Sequence, residues 1–342
     1  MKNSTTDVRH GKPYDAQINA KSLSTPDDWH GKPYYSLNAY CQNTYHEKLY
    51  KIALDAGMTC PNRDGTLDTR GCIFCSAGGS GDFAISVSGR SVPEQLQAGL
   101  SLFHGKRTGA RFIAYFQSYT NTYAPSERLR TLYREALICE QVAGISIATR
   151  PDCLPGEVMT LLSELKHEFP DKFIWVELGL QTIHETTAEY IRRGYALSCF
   201  DEAVQKLDNA GIPVITHLIL GLPGETPEMI YQSIAHLNRL PVSGVKLQLL
   251  HVLRGTDLAA HYAAGKFDVP DMDTYIALLI GCIERLSPDI VIHRVTGDGP
   301  RALLIAPKWS LNKRGVLNTL HREMKRLNTW QGRLYDRNFC NK

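Results

Sequence analysis

The sequence predicts an α/β fold built on a parallel sheet that curls into a full or partial barrel. Six short apolar runs rich in Val, Ile or aromatic residues alternate with helical patterns, and such a repeat is typical of parallel sheets with crossover helices. The predicted strands are Leu49–Leu54, Arg111–Gln117, Gly144–Thr149, Phe173–Gly179, Pro213–Leu220 and Gly244–Leu250. The predicted helices are Val92–His104, Ser126–Gln141, Gly156–Phe169, Ser198–Ala210 and Pro227–Leu240. Because parallel crossovers are nearly always right-handed, the sheet can curl in this way; we expect a barrel of six units, with a seventh run at Ile290–Val295 as a candidate for its edge.

The chain is long enough for one large core or two modest ones, because 43% of its 342 residues are hydrophobic. No linker separates a second domain, so we expect a core barrel over residues 45–290. The pentapeptide HGKPY occurs at residues 10–14 and again at 30–34, with polar, turn-forming sequence between the copies. This pattern predicts a partly mobile N-terminal extension over residues 1–44, and residues 291–342 form a C-terminal extension.

The C-terminal extension is strongly basic. Residues 301–342 contain ten Lys or Arg residues against Glu323 and Asp336, a formal charge of +8, whereas the whole chain carries +3 and the other residues therefore −5. A basic segment on an acidic body indicates an anionic partner such as RNA, with Lys325 and Arg326 as candidate contacts. The alternative is an ordinary solvated helix face.

Neither a signal peptide nor an apolar run long enough to span a membrane is recognisable. We therefore expect a cytoplasmic protein without a membrane partner. In that reducing compartment the nine cysteines are not expected to form disulfides.

Three cysteines, Cys60, Cys72 and Cys75, lie in a glycine-rich loop after the first predicted strand. Eleven residues separate the first two and two residues separate the last pair, so that neighbouring thiolates can reach one cluster. Three thiolates can hold three irons of a cubane and leave the fourth iron open for chemistry, whereas four would close it. Structural zinc is the main alternative, but it needs a fourth ligand, and no cysteine or histidine follows nearby with finger-like spacing.

Each predicted strand ends in a polar or glycine-rich loop. In chain order these are the cysteine loop, QSYTNTYAP, TRPDCLP, LQT, GLPGET and HVLRGT. Because chemistry collects at the carboxyl ends of parallel strands, we expect the six loops to build one site.

The cysteine loop, followed by LGLQT and LILGLPGET on successive strands, resembles the radical S-adenosylmethionine superfamily. The segments CPNRDGT and GCIFC resemble a bacterial branch related to the Elongator catalytic subunit and to oxygen-independent coproporphyrinogen oxidase. The resemblance covers roughly residues 45–290. It implies a partial radical S-adenosylmethionine barrel and favours an iron–sulfur cluster over zinc.

The chemistry of that family fits the count of three thiolates. In this class a 4Fe-4S cluster binds S-adenosylmethionine at its unique iron, and one electron cleaves the sulfonium carbon–sulfur bond. The resulting 5′-deoxyadenosyl radical removes hydrogen from a substrate carbon, while the protein positions and shields the reactants. The resemblance therefore implies an enzyme that receives its electron from a donor such as flavodoxin or ferredoxin.

Several positions match cofactor-binding positions of these relatives. The resemblance implies that Phe74 packs near the adenine, that Gln181 makes a polar contact to the nucleoside and that Arg193 reaches the methionyl carboxylate. The turn Leu220–Glu225, which contains Gly221, matches a GLPG turn whose backbone borders the adenine. Taken alone, this turn would be an ordinary strand-to-helix connection.

Three departures from the family pattern change what is expected. The gap of eleven residues between Cys60 and Cys72 replaces a short spacing and lengthens the loop. The glycine pair that often meets the methionyl amino group is Gln117 and Ser118 here, so that backbone carbonyls would have to serve. His217 stands where the coproporphyrinogen oxidases have an acid, and it either bonds a ribose hydroxyl or is a satisfied core residue.

Polar residues at the strand ends are the candidates for the substrate side. They are Tyr119, Asn121, Tyr123, Arg150, His251 and Asp298, together with Lys325 and Arg326 of the basic segment. Cys153 is the candidate catalytic residue, because a thiol can donate a hydrogen atom or form an adduct. The alternative for Cys153 is a small buried side chain.

These observations predict a radical S-adenosylmethionine enzyme that modifies tRNA, with a side chain on the wobble uridine as the preferred target. The basic segment and the resemblance to the Elongator branch, whose members work on that base, support this expectation. A small metabolite or a tetrapyrrole is the alternative substrate. A non-catalytic, metal-stabilised RNA-binding module is the alternative outside enzymes.

Overall fold

The structure is a computed structural model that describes residues 26–79, 90–101, 109–297 and 299–336. Its strands are β1 Tyr50–Leu54, β2 Phe112–Phe116, β3 Val142–Thr149, β4 Phe173–Gln181, β5 Val214–Leu220, β6 Gly244–Leu249, β7 Val252–Leu253, β8 Val291–Arg294 and β9 Leu304–Ala306. Its helices are α1 Leu37–Tyr45, α2 Val92–Ser101, α3 Ser126–Leu137, α4 Gly156–Glu168, α5 Glu185–Tyr190, α6 Leu197–Asn209, α7 Pro227–Leu237, α8 Asp257–Ala263, α9 Met272–Arg285 and α10 Lys313–Arg326. Residues 102–104 of the first predicted helix lie outside the described residues.

A parallel sheet in the order β1-β2-β3-β4-β5-β6-β8 curls into a half-barrel and confirms the predicted fold class. All six predicted runs form strands, and the seventh supplies β8, which pairs with β6. The sheet therefore has one strand more than the six-unit barrel. β7 and β9 form a separate antiparallel pair. The division into residues 1–44, 45–290 and 291–342 stays a prediction.

Most strand residues are buried and none of those described is exposed, as expected for parallel strands covered by crossover helices. Every residue of β2 and of β3 is buried. Among the described residues, no helix combines the length and the apolar character that crossing a membrane requires.

An apolar layer closes the amino end of the half-barrel. It is formed by α1 and by the first residues of the strands, namely Tyr40, Cys41, Leu49, Ile113, Ala143, Trp175, Ile215 and Val291. The ring of Trp175 stacks on Phe173 at 4.1 Å between centroids and lies 6.1 Å from the ring of Tyr40. Ser36 caps α1 by accepting a hydrogen bond from the amide of Ala39, which holds this helix under the sheet. The layer leaves the opposite, carboxyl end of the strands open for a site.

Replacing Trp175 by alanine would leave a void in this layer, because the Trp175 side chain has no exposed surface. We expect the free energy of unfolding to fall by about 3–5 kcal/mol, measured by urea denaturation. The control is Ile138→Ala, since Ile138 is 64% exposed. Its change should stay within about 0.5 kcal/mol. Equal losses in both variants would contradict the role of the layer.

Candidate active site

One cavity of about 260 Å³ lies at the carboxyl ends of the strands and brings together most of the predicted site residues. Those that line it are Cys60, Cys72, Phe74, Cys75, Gln117, Tyr119, Arg150, Gln181, Arg193, His217 and His251. Five of the six strand-end loops therefore contribute to one cavity, as expected for parallel strands, but the GLPGET loop after β5 does not line it.

Other predicted residues lie beside the cavity without lining it. Ser118 is buried, and Asn121 is buried with its amide donating to the carbonyls of Phe116 and Ala148. Cys153 is also buried, and burial raises the pKa of its thiol to about 12, which keeps it protonated. Its catalytic role stays a prediction.

Three further candidates have different surroundings. The hydroxyl of Tyr123 lies 2.9 Å from the hydroxyl of Thr66. Gly221 opens the turn after β5 with a φ of 85°, a left-handed conformation that favours glycine, and it does not line the cavity. Asp298 lies outside the described residues.

The basic helix α10 runs along the edge of the half-barrel from the cavity towards the amino end. Just before it begins, the Ser310 hydroxyl lies 3.1 Å from His251 Nε2 at the cavity. Just after it ends, Gln331 Nε2 donates to the carbonyl that precedes β8, at 2.8 Å. Lys325 and Arg326 therefore lie near the opposite end of the sheet and do not line the cavity.

The long gap between the first two cysteines folds into a compact loop. The amides of Arg63 and Gly71 donate to the carbonyls of Cys60 and Asn62, both at 2.7 Å. The guanidinium of Arg63 then crosses the loop and donates to the carbonyl of Cys75 at 3.1 Å. These backbone bonds bring cysteines that are distant in sequence to the same wall of the cavity.

Electrostatics favour a thiolate at this wall. The pKa of Cys72 is lowered to about 7, chiefly because the Cys75 thiol donates a hydrogen bond to its sulfur. The amide of Asn62 and the guanidinium groups of Arg150 and Arg63 add to this effect, while burial opposes it. The same hydrogen bond, together with burial, raises the pKa of Cys75 well above its usual range. Thiolates are the form that binds metals, so electrostatics at this wall favour ionisation of Cys72 and oppose that of Cys75.

The neighbouring wall presents an unsatisfied polar atom. The buried Gln181 Oε1 has no hydrogen-bond partner among the described residues. Gln181 adopts a φ of 65° at the end of β4, and a side chain at Gly179 would come within 2.6 Å of its amide nitrogen. Since buried acceptors are normally paired, this atom indicates a ligand that donates a hydrogen bond here.

Arg193 is an anchor of the same wall. Its guanidinium donates to the carbonyls of Leu180, Thr182 and Tyr195 at 3.2, 2.6 and 2.9 Å. It also pairs with the Glu185 carboxylate at 3.2 Å. These contacts fix the chain after β4, and a contact with a methionyl carboxylate stays a prediction.

A polar layer inside the half-barrel was not foreseen from the sequence. Glu177 of β4 is fully buried and accepts hydrogen bonds from Lys51 of β1, Lys246 of β6, Ser146 and His217. Burial opposes ionisation, but the two lysines hold the pKa of Glu177 well below its usual range.

His217 is neutral and has a defined tautomer in this layer. Burial, followed by the charge of Lys246, lowers its pKa to about 4. Its Nε2 lies 2.7 Å from Glu177 Oε2, and because a carboxylate only accepts, His217 must donate from Nε2. Nδ1 is therefore an acceptor, and it can serve a ligand hydroxyl in the cavity that His217 lines.

The three charged residues of this polar layer were not predicted as site residues, although the sequence contains a pattern that marks them. Lys51, Glu177 and Lys246 each interrupt an apolar strand, in YKIAL, FIWVELGLQ and GVKLQL. A lone charge within a buried strand predicts a partner, because an unpaired charge is costly to bury. The sequence does not say which charges meet, since the three strands are distant along the chain.

Comparison with known proteins identifies the class. The profile of the Radical SAM superfamily matches residues 69–237, and that of the Radical SAM C-terminal domain matches residues 242–326. The uncharacterised protein YtqA of Bacillus subtilis is 42% identical over 306 residues, which cover 90% of this chain and 94% of that protein. The chain belongs to the radical S-adenosylmethionine superfamily, whose enzymes use a 4Fe-4S cluster and S-adenosylmethionine.

Two more distant similarities are to a named tRNA-modifying enzyme and to a protein of known structure. A tRNA uridine(34) acetyltransferase of Dehalococcoides mccartyi is 28% identical over 189 residues, which cover 53% of this chain and 40% of that protein. The structure of Elp3 from Methanocaldococcus infernus, lacking residues 1–46, superposes with a TM-score of 0.61 at 16% identity. It covers 83% of this chain and 64% of the Elp3 chain, and the likeness shows the fold alone.

The residues at the cavity fit the two cofactors of this class. Within the described ranges, no three His, Cys, Asp or Glu side chains surround a single ion position. A cubane presents a separate iron to each thiolate, so the sulfurs of Cys60, Cys72 and Cys75 need not converge on one point. The unpaired acceptor of Gln181 and the acceptor nitrogen of His217 suit the donors of a nucleoside.

A Gln181→Leu substitution would remove the unpaired acceptor while keeping the side-chain size. We expect the dissociation constant for S-adenosylmethionine to rise about tenfold, the equivalent of one lost hydrogen bond of about 1.4 kcal/mol. Anaerobic equilibrium dialysis of the reconstituted protein measures this constant. Gln205→Leu is the control, because Gln205 is an exposed residue of α6. Unchanged binding by Gln181→Leu would rule out the contact.

Proposed function

We propose that this enzyme modifies tRNA at a side chain of the wobble uridine. When bound, the cluster and S-adenosylmethionine supply one-electron cleavage and hydrogen abstraction, and a low-potential donor such as flavodoxin or ferredoxin supplies the electron. The similarity to a tRNA uridine(34) acetyltransferase supports uridine as the target. The observation that carries the proposal is that the basic helix α10 begins beside the cavity and extends away from it along the half-barrel.

The surface of α10 is suited to a phosphate backbone. Five Lys or Arg residues and one Glu give the helix a formal charge of +4, and all five cations are exposed. Fourteen residues extend about 21 Å along the half-barrel at 1.5 Å per residue. Lys313 and Arg314 lie at the cavity end, and Lys325 and Arg326 lie at the far end. A strand of RNA can therefore contact α10 along its length while one base enters the cavity.

The cavity wall offers contacts for an unstacked base. The ring of Tyr119 lines it, and the other two tyrosines of the lining, Tyr115 and Tyr195, have lysine or arginine cations over their rings. Tyr119 has a φ of 59° and donates from its hydroxyl to the carbonyl of Ala77, so its ring is fixed against the cysteine loop. Aromatic side chains of this kind stack on bases that have left their helix. In this arrangement the protein residues bind and orient the base and limit the access of water.

Deleting the gene is expected to alter the modification of the wobble uridine. Nucleoside mass spectrometry of total tRNA from the deletion strain should show an accumulated precursor and a missing product. Complementation with the wild-type gene should restore the profile, and a gene with Cys60, Cys72 and Cys75 replaced by serine should not. An unchanged wobble-uridine profile would count against the proposal.

Reversing two charges on α10 tests the RNA contact directly. For Lys325→Glu combined with Arg326→Glu, we expect the slope of log affinity against log salt for tRNA to fall by about 2. Filter binding at several salt concentrations measures it. Lys206→Glu combined with Arg239→Glu is the matched control, because both residues are exposed and lie outside α10. Equal effects in the two double variants would show that only net charge matters.

A further inference from the structure

Asn62 has a buried side chain whose amide contacts Cys72, one of the three cysteines on the cavity wall. It is 2% exposed and lies two residues after Cys60. Its Nδ2 atom is 3.5 Å from Cys72 Sγ, 2.8 Å from the carbonyl oxygen of Arg192 and 3.3 Å from that of Arg193. All three neighbours are acceptors, so the group that faces them must be the NH₂ group of the amide.

The surroundings hold this amide in place. The backbone carbonyl of Asn62 accepts from the amide of Gly71 at 2.7 Å, next to Cys72. On the other side, Gly194 has a φ of 81°, and a Cβ there would lie 2.7 Å from Asn62 Oδ1. Asn62 therefore bridges the cysteine loop and the segment that carries Arg193.

We propose that Asn62 is a positioning residue that tunes the reduction potential of the 4Fe-4S cluster. A hydrogen bond to a ligand sulfur withdraws electron density from the cluster and stabilises its more negative, reduced form. The N–H of Asn62 makes this bond to Cys72 and thereby raises the potential. The carbonyl of Arg192, at 2.8 Å, accepts one of the two N–H groups and orients the amide, and the second N–H is shared between the carbonyl of Arg193 and the sulfur.

The test is a redox titration followed by electron paramagnetic resonance, on the full chain reconstituted anaerobically with iron and sulfide. Asn62→Ala is expected to shift the midpoint potential to a more negative value. Asn62→Asp keeps the shape, removes the N–H and adds a negative charge, so its shift should be larger. Wild-type potentials in both variants would overturn the proposal.

Asn238→Ala is the matched control. Asn238 also bridges two backbone segments, because its Nδ2 donates to the carbonyl of Arg285 at 2.8 Å and its Oδ1 accepts from the amide of Ser287 at 2.9 Å. It does not line the cavity, so its removal should leave the potential unchanged. An equal shift in this variant would assign the effect to general loosening and overturn the specific role of Asn62.

If the variants fail to bind a cluster, a measurement on the wild-type protein tests the hydrogen bond between Asn62 and the cluster. Protein labelled with ¹⁵N in the asparagine side chains should show a nitrogen coupling to the reduced cluster in pulsed electron paramagnetic resonance. Absence of that coupling would overturn the hydrogen bond. None of these measurements uses RNA, so their outcome is independent of the proposed substrate.

Discussion

The buried carboxylate of Glu177 is the constraint on which the half-barrel depends. Its two oxygens bind Lys51 of β1 on one side and Lys246 of β6 on the other, so the contacts cross the inside of the curled sheet. Removing one partner of a buried ion pair typically costs about 3–5 kcal/mol, because the other charge is left without compensation. The same carboxylate sets the tautomer of His217. The Glu177 carboxylate therefore joins strands that are distant along the chain and also fixes the tautomer of a histidine that lines the cavity.

Above that layer, the site divides into two walls with different origins. The wall that carries the three cysteines is a loop held together by local hydrogen bonds. The guanidinium of Arg63 crosses this loop and donates to the carbonyls of Cys75 and Ser76. The neighbouring wall, which carries the unpaired acceptor of Gln181, is made by the end of β4, where the positive φ of Gln181 and the anchoring of Arg193 hold the chain in an unusual path. Strained backbone of this kind persists where the surroundings over-determine it, and it is concentrated at functional sites.

The position of α10 shows where the positive charges of the C-terminal extension lie relative to the cavity, which the charge count alone does not show. Arg322 and Arg326 both pair with Glu323, so part of the formal charge is compensated within the helix. Exposed pairs of this type contribute little to stability, and their cations stay available to a stronger anionic partner. The helix starts beside the cavity and ends near the base of the sheet. In the proposed complex, α10 would contact the phosphate backbone of the RNA and not the base that reacts.

The sequence by itself determined the strands of the parallel sheet, the helices α2, α3, α4, α6 and α7 between them, and the identity of the cysteine loop, whereas α5, α8, α9, α10 and the pair β7–β9 were not predicted. The predicted features are local properties: the predicted strand Arg111–Gln117 contains five consecutive apolar or aromatic residues, Phe112–Phe116, and the spacing of Cys72 and Cys75 is read within a few residues. The fold class, the family and the common rim of loops could be predicted for this reason.

Only the tertiary structure decided which side chains meet. The pairing of Lys51 and Lys246 with Glu177 joins residues more than 60 positions apart, and no local pattern encodes it. The contact of Asn62 with Cys72 likewise depends on how the eleven-residue gap folds back. Burial is the physical reason: a charge or an amide removed from water must find a partner, and the packing of the whole sheet decides which one is within reach.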